Sequence, residues 1–60
     1  MWIILGINGS FAVYWNGISW TVRKVEAQRF SIQNDAMLEA HSLSMQQRCA
    51  MVKHIHVEKE

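Results

Sequence analysis

The stretch FAVYWNGISWTV, residues 11–22, decides the fold of this chain. It contains four of the six aromatic residues and no charged residue, and Asn16-Gly17 divides it into two halves. Asn-Gly between β-branched and aromatic residues is the strongest short-range signal for a β-hairpin, because both residues accept the positive φ that a tight turn requires. We therefore expect two antiparallel strands joined by a two-residue loop.

A two-residue loop also fixes which side chains share a face of this hairpin, because side chains alternate along a strand. One face is apolar and is expected to be core; its opposed pairs are Trp15 with Ile18, Val13 with Trp20, and Phe11 with Val22. The other face is mixed in character and carries Ala12, Tyr14, Ser19 and Thr21.

The first strand, WIILGI at residues 2–7, is apolar on both faces. Such a run suits a strand that is covered on both sides or one whose outer face meets another molecule. The loop that follows decides which residues enter the core: Ile3, Leu5 and Ile7 for a three-residue loop at residues 8–10, or Trp2, Ile4 and Gly6 for a two-residue loop. We favour the three-residue loop because Gly6 adds no side chain to a core.

The remainder of the chain predicts a polar connection, one helix and a final strand. The helix is expected from Ser31 or Asn34 to about Arg48, because this stretch lacks Gly and Pro and is rich in good helix formers. From Met51 the apolar residues return to a period of two, which favours a strand. The prediction is one small α+β domain over residues 1–60, in the order β-β-β-α-β, with the helix on one face of an antiparallel sheet.

Length and charge bound the functional classes. A chain of 60 residues buries a marginal core, and its single cysteine, Cys49, excludes an internal disulfide. We therefore expect support from a second copy of the chain, a homodimer, and a reducing, cytoplasmic location. Residues 1–22 carry no charged side chain, and a membrane-spanning segment is an alternative interpretation. The turn-forming pairs Asn8-Gly9 and Asn16-Gly17 argue against it, because the backbone of a turn would be left without hydrogen bonds in lipid.

Catalysis is not expected, because the chain has no paired carboxylates, phosphate-binding loop or nucleophile–base set. Cys49 follows the predicted helix, whose terminal carbonyls raise a thiol's pKa, so it is interpreted as a core residue. His54 and His56 stand two apart on a strand and are weak candidates for metal ligands, with His41 as a third. A solvated strand face explains them equally well, and no cofactor is predicted.

The expected binding surface is the sheet face that one helix leaves uncovered. Contiguous apolar and aromatic groups on such a face mark an interaction site. The candidate contacts combine aromatic or apolar residues with the basic residues that follow the hairpin: Trp2, Ile4, Tyr14, Arg23, Lys24 and Arg29. An edge strand is the other expected docking element. The alternative is a single-stranded nucleic-acid-binding protein, in which Arg23, Lys24 and Arg29 contact phosphates beside stacking aromatics.

The run NGSFAVYWNGISWT followed by EAQRFSIQNDAMLEA resembles a recurring kind of short phage or prophage protein. In that group a hairpin precedes an Ala-x-x-Phe-Ser element, one helix and a closing strand. Some members look like host-takeover factors, including anti-CRISPR inhibitors, which act by binding a host protein. The resemblance implies an intracellular protein that binds a host protein without catalysis. Anti-CRISPR proteins are often acidic mimics of nucleic acid, and this chain is not acidic, so occlusion of a protein surface is the expected mode.

Overall fold

A computed structural model describes residues 1–46 and 51–60. It shows a small α+β fold, an antiparallel four-stranded sheet with one helix packed on one face, which confirms the predicted fold class and element order. The elements are β1 (Trp2–Asn8), β2 (Phe11–Trp15), β3 (Trp20–Thr21), a single 3₁₀ turn (Lys24–Glu26), α1 (Gln33–Gln46) and β4 (Val52–Lys59), and the strand order is β3-β2-β1-β4. The predictions for Arg48 and Cys49 lie outside the described residues.

The first hairpin has the two-residue loop, so the favoured three-residue loop was wrong. Asn8 pairs with Phe11 and only Gly9 and Ser10 lie between them, with Gly9 at a positive φ of 63°. Consequently Trp2, Ile4 and Gly6 point to the helix side of β1. The absent side chain of Gly6, which had counted against this register, is what the neighbouring strand requires.

That requirement comes from a β-bulge in β4. The pairing of β1 with β4 shifts between Leu5↔His56 and Ile7↔Lys53, so two residues of β4 oppose Gly6. One of the two, His54, adopts a positive φ of 58°. A Cβ on Gly6 would lie 2.6 Å from Cγ1 of Val52, closer than folded proteins allow. Glycine at this position therefore lets β4 bulge over β1.

The bulge also changes the faces that a strict alternation predicts for β4. Val52, Ile55 and Val57 all lie toward the helix, whereas the strict period of two separated Val52 from the other two. On the opposite face, Lys53 and Glu58 pair with residues of β1 that point away from the helix. A one-residue insertion exchanges the two faces from that point onward, which explains the error.

The second hairpin is closed by four residues, 16–19, and not by the predicted two, because Tyr14 pairs with Thr21 and Trp15 with Trp20. The Oδ1 atom of Asn16 accepts hydrogen bonds from the backbone N–H groups of Ile18 and Ser19, at 2.8 and 2.7 Å. The asparagine side chain thus organises a longer turn.

The shift of two residues keeps the paired residues on their predicted faces but moves the pairs along the hairpin. Val13 is buried as expected, and the Trp15 and Trp20 rings meet edge to face with centroids 5.4 Å apart. Phe11, Ile18 and Val22 were expected in the core and are 65–87% exposed, so that part of the prediction was wrong. Val22 lies beyond the end of β3, and Ile18 lies in the turn.

The helix-side core is built around Ile4, which is fully buried beneath Ala36, Ala40 and Leu43 of α1. Small alanine side chains let the helix lie close to the sheet. Larger half-buried residues surround this centre: Trp2, Trp15, Trp20, Phe30, Ile55 and Val57. The indole Nε1 of Trp15 donates to the Glu39 carboxylate at 3.2 Å, so the polar atom of a core ring has a partner on the helix.

The opposite face of the sheet is covered at the centre of β1 by the connecting segment, residues 22–32. Ala27 is buried against Ile3 and Leu5, with Tyr14 packed beside them. Two groups of backbone hydrogen bonds hold the segment: Gln28 N–H donates to Trp15 O, and Phe30 exchanges two bonds with Trp2. β1 is apolar on both faces because both faces are covered, one by a helix and the other by a loop.

Candidate interaction surfaces

The structure corrects the predicted binding positions on the sheet. Ile4 is 0% exposed and Trp2 packs in the helix-side core, so neither lies on an open face. The reason is the register of β1, which exchanges its two faces relative to the favoured prediction. Tyr14 does lie on the face away from the helix, where it is half-buried next to Ala27. The predicted patch of Trp2, Ile4 and Tyr14 therefore does not form one surface.

The predicted basic residues are exposed, but two of them face carboxylates. Arg29 donates from Nε and Nη2 to the two carboxylate oxygens of Glu60 at 2.7 and 2.8 Å, and Nη1 donates to the carbonyl oxygens of Val25 and Ala27. The hydrogen bonds from Arg29 lower the pKa of the Glu60 carboxyl below its ordinary value. Arg23 lies 3.8 Å from Glu26. The bidentate pairing of Arg29 with Glu60 weakens its contribution to a phosphate-binding patch, and nucleic-acid binding stays a prediction.

His56 already has a partner for each ring nitrogen. Nδ1 lies 2.7 Å from the carbonyl oxygen of His54 and Nε2 lies 3.0 Å from a carboxylate oxygen of Glu58. Because both partners accept, the ring that donates to both is the protonated imidazolium. The His54 carbonyl first, and then Glu58, raise the pKa of His56 above its ordinary value.

The metal prediction assumed that His54 and His56 lie on one side of a regular strand. His54 instead lies in the β-bulge, outside the regular part of β4. Within residues 1–46 and 51–60, no three His, Cys, Asp or Glu side chains are grouped as a metal site requires. The geometry gives His56 a role in an ion pair with Glu58, and the His54–His56 metal site stays a weak candidate.

The free edge of the sheet is β4, beyond which no other strand lies in the described part of the chain. The N–H and C=O of Trp2 bind Phe30 on the other side of β1, and Glu60 N–H donates to Met1 O. Because hydrogen-bonding direction alternates along an antiparallel pair, Ile3 binds Glu58 while Val57 and Lys59 turn their backbone groups outward. These outward groups are available to an added strand.

A groove of about 290 Å³ lies beside this edge, between α1 and β4. Its lining is mostly apolar: Gln33, Met37, Ala40, Ile55, His56 and Val57. Met37 forms one wall and is 53% exposed. Sequence reasoning missed this groove, although the apolar residues of α1 are not confined to its buried stripe of Ala36, Ala40 and Leu43.

The outward side of α1 is a second apolar region. Leu38 and Met45 are 62% and 69% exposed, and their spacing of seven residues places them on the same helix face. No polar backbone group is available there, since the helix satisfies its own. This region offers apolar area without the directional hydrogen bonds that β4 provides.

Comparison with family models, with curated proteins and with solved structures gives no match for this chain. The residues considered as a membrane span, 1–22, form β1, β2 and β3 in the structure. Among the described residues, no helix has both the length and the apolar character needed to cross a membrane.

Proposed function

We propose that this chain is a small, non-catalytic protein-binding module that docks an extended segment of its partner along β4. The observation that carries the proposal is the outward backbone of Val57 and Lys59 directly beside the apolar groove. Strand addition uses this combination: main-chain hydrogen bonds supply affinity, and a pocket for alternate side chains supplies specificity.

The edge is a better docking element than either face of the sheet. One face lies beneath α1 and the other beneath the connecting segment, so the residues at the centre of β1 are not accessible. The edge at β3 has only two residues, too few to align a partner strand. β4 has eight residues, and the bulge leaves the part from Ile55 to Lys59 regular.

The chemistry of β4 describes the partner segment. An aliphatic side chain fits the groove beside Met37 and Val57. On the other face the segment meets His56 and Glu58, which are exposed and are of opposite charge when the imidazole is protonated. From the resemblance to phage-encoded inhibitors we infer that the partner is a host protein in the cytoplasm, whose function is blocked when its extended segment is held along β4.

A matched pair of helix variants tests the proposal. Met37→Lys places a charge in the groove, whereas Met45→Lys places the same charge on the outward side of α1 at comparable exposure. Affinity capture from a host-cell extract should lose the partner with Met37→Lys and retain it with Met45→Lys. In a separate experiment, a photo-crosslinking residue placed at position 37 or at position 45 reports which side of α1 the partner contacts. Equal capture by both variants, or crosslinks only from position 45, would contradict docking at β4.

A further inference from the structure

We infer that a second copy of this chain occupies the β4 edge, forming a symmetric dimer by antiparallel pairing of residues 55–59 about Val57. The inference deepens the proposed function, because it names a partner for the same edge. In the dimer, the two four-stranded sheets join into one of eight strands. An external partner then competes with the second copy for this edge.

Backbone geometry selects the segment that pairs. The bulge opposite Gly6 interrupts β4, so the regular part runs from Ile55 to Lys59. Val57 is its central residue and turns its N–H and C=O outward. A two-fold axis between two copies of Val57 lets each accept a hydrogen bond from the other, as residues in a hydrogen-bonded antiparallel pair do.

Charge selects the register. Pairing about Val57 puts His56 of each copy opposite Glu58 of the other, in the non-hydrogen-bonded positions where side chains approach most closely. Pairing about Glu58 would oppose two carboxylates. Pairing about His56 would oppose two imidazole rings and would bring Lys53 opposite Lys59. Among these neighbouring registers, only the one about Val57 opposes no two groups of like charge.

The groove becomes interior in this arrangement. A two-fold axis normal to the sheet keeps both helices on the same side, so the two Met37-lined grooves face each other across the Val57 pair. Ile55 and Val57, which are half-buried in one copy, gain cover from the second. A core as small as that of a 60-residue chain benefits from this additional burial.

The first test measures mass in solution by sedimentation equilibrium, from micromolar to millimolar concentration. Because residue 49 is a cysteine, a synthetic segment 49–60 can be joined by native chemical ligation and can carry one N-methylated amide. N-methylation at Val57 removes two intermolecular hydrogen bonds and should weaken the dimer by about tenfold or more. N-methylation at Val52, whose outward amide precedes the bulge, should leave the dimer intact. A chain that remains monomeric at millimolar concentration overturns the inference.

A second test addresses the register and uses only side-chain changes at exposed positions. Glu58→Lys leaves only cations at the paired positions of its own dimer, and His56→Glu leaves only carboxylates. Each variant alone should be monomeric, and an equimolar mixture should form a heterodimer of twice the monomer mass. A mixture that stays monomeric, or variants that dimerise alone, would exclude pairing about Val57.

The outcomes separate this inference from the proposed function. If the chain is monomeric and the groove variant Met37→Lys still loses a captured partner that Met45→Lys retains, strand docking stands and the second copy is excluded. If the dimer forms as described and both helix variants capture the same partner, the second copy stands and docking of an external segment at β4 fails.

Discussion

The two edges of the sheet end in different ways. At one edge, β3 is two residues long, and the 3₁₀ turn that follows lies against it: the Thr21 hydroxyl donates to Glu26 at 2.8 Å. At the other edge, β4 extends over eight residues with no strand beyond it in the described part of the chain. Edge strands invite pairing with other chains, and proteins protect those that are not meant to pair.

The connecting segment, residues 22–32, lies near the β3 edge and adds no strand on the outer side of β4. Residues 22–32 leave β3, cover the face that carries Ile3 and Leu5, and reach Trp2 before α1 begins. One segment thus contacts β3 through Glu26 and covers the face at Ile3 and Leu5. The bulge and Lys53 protect the first part of β4 against pairing and leave the part from Ile55 to Lys59 open.

The largest expected effect is a loss of stability of the whole sheet, including both of its edges. Ile4 is fully buried and pairs with Val57, so Ile4→Ala leaves a cavity between α1 and β4. We expect a loss of about 2–5 kcal/mol in the free energy of unfolding, measured by urea denaturation. Ile3→Ala, at 2% exposure beneath the connecting segment, should cost a similar amount. A loss at Ile3 below a quarter of that at Ile4 would show that the connecting segment does not form a true core.

A smaller change should alter the β4 edge alone. Gly6→Ala introduces a Cβ 2.6 Å from Val52 Cγ1 and 3.2 Å from the Lys53 carbonyl oxygen, so the bulged part of β4 must shift. We expect destabilisation of about 1–3 kcal/mol and chemical-shift changes concentrated in β4 and β1. Gly9→Ala is the control, because that Cβ meets no atom within 4 Å and only the positive φ is strained. Equal effects from both changes would remove the steric reason for glycine at position 6.

The smallest expected effect is a pH dependence that originates at β4. The pKa of His56 is raised in the folded chain, so protonated His56 stabilises the fold fully below its ordinary pKa, and this contribution is lost as pH rises through the raised value. The denaturant midpoint should therefore be higher at about pH 6 than at about pH 8. Both values lie above the pH range in which carboxylates titrate. The effect is modest because the ring is half exposed. His56→Gln should remove this part of the pH dependence, and an unchanged profile would contradict the assignment.

The sequence predicted the fold class and element order because hairpin turns, helix formers and alternating strands are local signals. It did not predict the register of β1, since one residue of loop length exchanges the faces and Ile3 and Ile4 are equally apolar. It did not predict the cover over the second face, because a single Ala27 has no periodicity to reveal it. The predicted binding surface consequently lay on a sheet face, although docking by an edge strand, not further specified, was the other expectation.

Amide hydrogen exchange along β4, resolved by NMR at increasing protein concentration, tests most directly whether this edge docks a second copy. In dilute solution, His56 and Glu58 should be protected by their bonds to β1, while Val57 and Lys59 exchange rapidly. As concentration rises, Val57 should become protected together with the dimer. Protection of Val57 in dilute solution, or rapid exchange at every concentration, would contradict an open edge that pairs with another copy.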